Sequence, residues 1–566
     1  MNRILTVVLF FLVSVIAVNP LFAQDRESDD SMLPEIDPQD IEIRSQFQAR
    51  FPGLRRQPIL GFEPTSRVYE VDPDRVPYIE SDEDRVANLP ISELSRPDAP
   101  PYTPLHYSPD INAFARGGVG NYLSSEANFW GVTRLNNKSY IGGDLDFSSS
   151  DGHLENQQSS FRFLKANGEF AAKLNDNTRL DLDVGLQNSF NHLFNINSSG
   201  FDVPDSPRKI YGGVNLGVEL EGLQNGVEGW NVQASARYYD VETMAGDLSM
   251  ASEEGVYNAL LLKRWAGPNT DETFTAKLGG ALGDYANTLA SNQWMTGQVG
   301  VEYSRLFNYE THITVDASVY YGSDAFEDKV YFAPRAKFVQ PLIEAMTFTA
   351  TVGAKPYVKT AEQLHTSNRF LNPGHEFRHS YRMYGMTELE INYSDVGTLT
   401  GGIRYEDIEN YPIFERETNA LDSGQPLFYK VRYDDVAKAQ VFASLTHQVV
   451  PEKFWLNGKV YAQAPDIKDG GRIPFTEKLG GTSGFSLRMF DRATIQGWAD
   501  YIGPRRNGRG DTLEEYILLG GQFDLSITDN IGAYAKVVNL LDQGYQKWEG
   551  YTERPMQIYG GITVKL

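Results

Sequence analysis

The chain has 566 residues, with 75 Asp and Glu against 51 Lys and Arg, a net charge of −24 and a mean hydropathy of −0.40. It contains no cysteine, which excludes a disulfide framework and thiolate metal sites. The acidity, without any basic stripe, excludes nucleic acid as a partner. No apolar run after residue 23 reaches the ~20 residues that a spanning helix needs, which excludes a helical membrane protein.

Met1-Asn-Arg3 is a short basic start, Ile4 to Val18 is an unbroken apolar run, and Asn19-Pro20 breaks it. Leu21-Phe22-Ala23 before Gln24 reads as a cleavage site, so residues 1–23 are expected to be a secretory signal peptide. No cysteine follows to carry a lipid anchor.

Residues 24–110 hold thirteen prolines and acidic clusters such as Asp82-Glu83-Asp84. Proline denies both ladder hydrogen bonds and helix interiors. This part is expected to be a proline-rich, irregular arm, either a lumen insert or a periplasmic segment. Phe47, Phe51, Leu54, Ile59 and Leu60 favour packing over full solvation, and Arg55-Arg56 suit the acidic wall residues Asp181, Asp183 and Asp316.

Residues 111–566 read as a series of amphipathic strands. Leu180, Leu182, Val184, Leu186 and Phe190 alternate with Arg179, Asp181, Asp183 and Gln187. Phe274, Ala276 and Leu278 alternate with Thr275 and Lys277. Ile313, Val315, Ala317 and Val319 alternate with His312, Thr314, Asp316 and Ser318, and Phe523, Leu525 and Ile527 with Gln522, Asp524 and Ser526. Charge on one face of strand after strand predicts a wet interior and an apolar exterior. A dry sandwich core would require the reverse.

Very short turns at 175–177, 308–310, 394–397, 450–453, 491–492 and 528–530 alternate with longer polar stretches at 195–208, 360–379, 414–435, 464–480, 503–514 and 542–555. That is the layout of a transmembrane antiparallel β-barrel with its turns in the periplasm. Taking 427–433 as a loop extension gives about 22 strands. The chain closes on Met556, Ile558, Gly560, Ile562, Val564 and Leu566 along one face and Gln557, Tyr559, Gly561, Thr563 and Lys565 along the other.

The stretch Gly532-Ala-Tyr-Ala-Lys-Val-Val-Asn539-Leu-Leu-Asp542, then Tyr545, Arg554-Pro555 and the terminal strand, resembles the C-terminal end of TonB-dependent receptors. Asn372-Pro373 before a Tyr-rich strand is similar to a loop motif of that family. The resemblance implies an outer-membrane β-barrel that mediates solute passage or uptake. The chain also departs from the family. Its arm is shorter than the family's plug and lacks Gly-rich and Asp-Gly turns, and Asp40-Ile-Glu-Ile43 matches a TonB box only faintly. The resemblance therefore implies a barrel whose plug is lost, replaced or supplied by a separate protein, and puts TonB coupling in doubt.

His375-Glu376-Phe377-Arg378-His379 matches the H-E-x-x-H signature, which binds zinc only when both His share a helix face. Asn372-Pro-Gly374 before it and a strand after it predict a polar extracellular loop instead, with His365 nearby. His312 and His447 are expected as polar lumen residues, and no catalytic, metal or cofactor site is assigned. Phe129-Trp130, Tyr320-Tyr321, Trp498, Tyr501, Tyr516 and Tyr534 are expected in interfacial girdles. Tyr545, Trp548 and Tyr551 are loop aromatics open to a ligand.

The expected partners are outer-membrane lipid and a solute that the sequence does not identify. The alternative reading is a non-transporting barrel that acts as a surface-binding or scaffold component of a protein complex. Enzymatic activity is not expected.

Overall fold

The computed structural model describes residues 113–566, apart from 155–157, 195–206, 225–227, 246–247, 270, 289–290, 308–309, 395, 417–427 and 491. The leader, the arm with its expected lumen contacts, and Asp40-Ile-Glu-Ile43 lie outside the described residues.

Twenty-two strands form one antiparallel sheet. The first, Ala113–Gly120, pairs with the last, Gln557–Lys565, from Phe114↔Lys565 to Gly120↔Tyr559, so the sheet closes on itself and leaves no edge. Residues 429–433 prolong the strand Tyr429–Val450 past a bulge at Ile408/Tyr411 and add no crossing. The turns at 176–177, 344–345, 451–453 and 527–530 share one rim with the chain end. The opposite rim is uneven. It carries the long connections 358–379, 468–478, 503–515 and 539–556, but also a tight hairpin at 324–327.

The period-two pattern decides which face is which. Leu182, Val184, Leu186, Val315, Val319, Ile558 and Ile562 are exposed on the outside, and Ile562 keeps 60% of its surface. An apolar exterior on a closed barrel marks a membrane-spanning barrel of the outer-membrane type. The inward residues are charged and cross-linked. Lys277 bonds Glu302 (2.7 Å) and Asp316, and Arg335 bonds the same Glu302 (3.0 Å). At the closing seam Arg116 meets Asp524 (2.9 Å) and Lys536 meets Glu126 (2.8 Å).

Two expectations need correction. Adjacent residues of a strand point to opposite faces, so the aromatic pairs are split. Phe129 and Tyr321 face outward, whereas Tyr320, Trp498, Tyr516 and Tyr534 are buried against the inner wall. Trp498 lies over Gly520 of the neighbouring strand, where a Cβ would collide with the indole. His447 is not a lumen residue. It shares the outer face with Leu445 and stacks on Tyr393 (ring centroids 5.5 Å) near the turn rim. His312 does face inward, against the Ser304 hydroxyl at 2.6 Å.

Candidate functional site at the barrel mouth

The connection 358–379 turns inward and packs inside the mouth. Its sequence sets up a short helix, Ala361–Ser367. Thr360 caps the first turn through Gln363 N–H, and the Gln363 side chain returns to Thr360 N–H as a capping box. Asn368, extended at φ −136°, ends the helix, and its amide carbonyl accepts from Phe370 N–H (2.9 Å). Ala361 and Leu364, one turn apart, share a buried face. Phe370, Leu371 and Phe377 continue that face along the extended chain that follows. The backbone then clamps onto Tyr429: Tyr429 N–H donates to Phe370 O (3.0 Å) and Asn372 N–H to Tyr429 O (2.8 Å).

Around this segment lies the largest apolar cluster among the described residues. The wall contributes Tyr239, Val241, Val256, Tyr285 and Trp294, and other loops contribute Phe194, Phe475, Trp548 and Tyr551. Phe370 stacks face to face on Tyr551 at 3.5 Å, and Trp548 packs edge-on against Tyr429 at 5.2 Å. Trp548 and Tyr551 are therefore buried packing residues, not ligand contacts open to solvent, and Tyr545 stacks on Tyr516 (4.5 Å). The close of the last loop explains the motif that carried the family resemblance. Asn539 and Asp542 adopt positive φ (54° and 51°), a conformation Asn and Asp tolerate best after Gly. The Asn539 amide bonds Gln543 O and Arg554 O, and the Asp542 carboxylate accepts from Met556 N–H, so the ends of 539–556 are tied together.

Two buried polar side chains on the wall hold the two ends of the inserted segment. Glu254 accepts from Ala361 N–H at the start of the helix (2.6 Å) and from the Trp294 indole (3.3 Å). Lys209, with no exposed surface, donates to Arg369 O (3.1 Å), Leu371 O (3.0 Å) and His365 Nδ1 (2.6 Å). A carboxyl group thus accepts from the helix start, and an amine donates to carbonyls of the extended chain beyond its end. We call the segment 358–379, docked in this way, the cap.

The cap also places the H-E-x-x-H residues. They run extended, with His375, Phe377 and His379 buried and Glu376 exposed. His375 Nδ1 donates to Asn372 O (3.3 Å), while His379 Nδ1 meets the Asp324 carboxylate (2.8 Å) and its Nε2 meets the Thr296 hydroxyl (2.9 Å). The two histidines are separately engaged, and the expected polar, solvated loop is a packed one. The other histidine of the cap, His365, stacks near His375 at 5.3 Å. Burial, reinforced by Lys209 and then His375, holds His365 well below the usual imidazole range. Burial holds His375 down to about 4. Among the described residues no group of three His, Cys, Asp or Glu is placed to hold a metal ion. Beside the cap, His153, Asn191, His192, Arg369, Glu553 and Arg554 line a small polar recess.

Sequence reasoning reached His365 and His375 but not Lys209 or Glu254, whose role depends on contacts across 162 and 107 residues. The capping box at Thr360 and Gln363 was the readable signal that this loop is structured.

No family model matches the sequence, and no curated protein is similar to it. Solved structures do match. The ferric-catecholate import receptor Fiu from E. coli K12 is 12% identical, with a TM-score of 0.61 over 81% of this chain and 82% of its own. The FrpB iron transporter from Neisseria meningitidis is 9% identical, with a TM-score of 0.63 over 80% and 81%. The copper transporter OprC is 10% identical, with a TM-score of 0.62 over 80% of each chain. At these identities the likeness establishes the fold, a closed barrel of 22 strands.

Proposed function

We propose that this chain is a receptor-like barrel of the outer membrane that takes up a solute through its lumen. The observation that carries the reading is a closed 22-stranded wall, apolar outside and charged inside, in the fold shared by import receptors and transporters for ferric-catecholate, iron and copper. The wall is also polarised. Acids predominate on one arc (Asp144, Glu169, Asp181, Asp183, Glu219 and Glu221, with Arg179 among them) and bases on an arc across the sheet order (Lys337, Lys355, Arg382, Arg404, Lys438 and Lys459, with Glu388 and Glu406 among them). A field across the lumen favours solutes that carry both signs of charge.

The packed mouth supports a second reading, a scaffold barrel that conducts nothing. Replacing residues 360–378 by a short Gly-Ser linker between the paired strand ends Tyr357 and Ser380 separates the two. Uptake requires that the linker variant conduct in a planar bilayer. A wall that stays silent without its cap favours the scaffold.

A further inference from the structure

The junction between cap and wall concentrates basic groups, and among the described residues it holds no free acid. Lys209 and His365 are completely buried, and His375 is nearly so. They are faced by Tyr239 from one strand (6.3 Å ring to ring from His365) and Tyr285 from another (5.3 Å from His375). Tyr429, at the start of the strand Tyr429–Val450, and Tyr551 of the last connection belong to the same packed cluster. Each nearby carboxylate is engaged: Glu254 with Ala361 N–H and Trp294, Glu362 with Arg237 (3.0 Å), Glu553 with Arg369 (3.0 Å), and Asp324 with His379.

The hydrogen bonds fix where a proton could go. Lys209 donates to His365 Nδ1, so neutral His365 carries its proton on Nε2, and a second proton would have to displace the Lys209 bond. His375 donates from Nδ1 to Asn372 O, so its second proton would go to Nε2. That Nε2 is buried and has no hydrogen-bond partner, and neither does His365 Nε2. Each added proton therefore buries a further charge for which the described residues offer no acceptor.

We propose that the cap is an acid-released latch, in which protonation of the buried His365 and His375 beside Lys209 undocks residues 358–379 and opens the mouth. The sign follows from the two states. Docked, both imidazoles sit below their ordinary range, His375 at about 4. Undocked and solvated, they titrate near the ordinary value of about 6.5. Docking is therefore strongest above that value and weakens as pH falls toward 4. The docked-to-undocked ratio falls by up to about tenfold per pH unit for each histidine, or about a hundredfold for both. Asp324, held at about 2, stays ionised throughout this window and takes no part in the release. The latch adds to the uptake reading the step that opens the path, and it rests on that reading only for what passes.

The test uses the full chain, which has no cysteine of its own. Ser367→Cys, nearly isosteric and buried in the docked helix, reports undocking by its reaction with 4,4′-dithiodipyridine. Rates are normalised at each pH to Asp469→Cys in an exposed loop. From pH 7.5 to pH 5 the normalised rate should rise by one to three orders of magnitude, and His365→Gln with His375→Gln should abolish the rise. If the double variant is already reactive at pH 7.5, the single variants decide, since each should cut the slope from about a hundredfold to about tenfold per pH unit. A rate independent of pH, or a full response in the double variant, overturns the latch. Conductance recorded at the same two pH values separates the readings. An undocking response with no rise in conductance keeps the latch and removes uptake.

Discussion

The outer wall and the mouth of this barrel are built on opposite principles. On the wall the pairing is regular: apart from the closing seam between Ala113–Gly120 and Gln557–Lys565 and a few bulges, strand partners are sequence neighbours, apolar residues face outward and the inner face is charged. In the mouth the order is reversed. Apolar side chains point inward, the partners come from distant segments, as Phe194 and Tyr551 do, and the polar groups that anchor the cap are buried. The wall is held by a ladder that needs no particular side chain, provided the alternation is kept. The mouth is held by particular side chains, as a protein core is. Substitutions should therefore act through burial of charge on the wall and through loss of packing in the mouth.

The largest effect should come from the wall. Deleting 556–566 removes the strand that pairs with both Ala113–Gly120 and Ile531–Val538, so two edges open at once. Within lipid every unpaired backbone group is costly, and the protein should not assemble. Ile562→Lys, which places a charge on the lipid face, should cost ~2–4 kcal/mol near the midplane. The measurement is heat-modifiable migration together with surface exposure in cells. Normal exposure of the truncated chain would sink the barrel assignment.

The mouth should fail separately. Phe370→Ala removes the ring stacked on Tyr551 and should cost the cap ~3–5 kcal/mol. The closed sheet, whose strand pairing does not use that ring, should assemble normally. Protease should then cut within 358–379 while the barrel keeps its heat-modifiable migration. If cutting and barrel loss occur together, cap and wall are one cooperative unit and the comparison fails.

The same contrast explains what could be read from the sequence. The alternation of Leu180 to Phe190 with Arg179 to Gln187 needs only the period of a strand, so the strand count and the two faces were legible. Aromatic residues were misplaced where two stand side by side, because Tyr320 and Tyr321 occupy opposite faces whatever the girdle demands. His447 shares its strand with inward residues but sits one position out of step with them, a shift that only a known register exposes. The cap was not read from the sequence, where 360–379 reads as a polar loop. Its capping box lies within four residues, but its burial depends on Lys209, Glu254, Tyr285 and Tyr551, which no local pattern links to it.

A smaller effect concerns the end of the cap. Burial alone would raise the Asp324 carboxyl, but hydrogen bonds from the His379 ring and from the N–H groups of His379, Phe326 and Glu327 outweigh it and hold it down to about 2. A carboxylate depressed below its unfolded value near 3.8 stabilises the fold above that pH, and the contribution is lost as pH falls through about 2. Asp324→Asn should therefore cost ~1–2 kcal/mol at neutral pH, since a charge-assisted acceptor is lost. The cost should shrink as pH falls below the unfolded value near 3.8 and be largely gone as pH passes through about 2, where the native carboxyl takes up its proton. Protection of the His379 amide from hydrogen exchange, compared at pH 7 and pH 2.5, reads this directly. An equal loss of protection at both values would show that the Asp324 charge is irrelevant to holding His379.

The smallest expected effect is none. In a zinc protease the glutamate of H-E-x-x-H activates the metal-bound water, so its loss abolishes activity. In this barrel Glu376 is the exposed residue between buried His375 and buried Phe377, and its backbone carbonyl, not its side chain, accepts from Tyr433 (3.0 Å). Glu376→Gln keeps that carbonyl and the period-two burial of its neighbours, so cap docking, conductance and acid response should stay within error of the parent. His375→Gln, one residue away, should alter the acid response, because its ring is buried beside His365. The pair of substitutions thus asks whether adjacent positions differ by burial, as a packed mouth requires, or act together, as a catalytic motif would. A zinc-dependent peptidase activity in the parent that disappears in Glu376→Gln would decide for the motif, and the mouth would have to be reinterpreted as an active site.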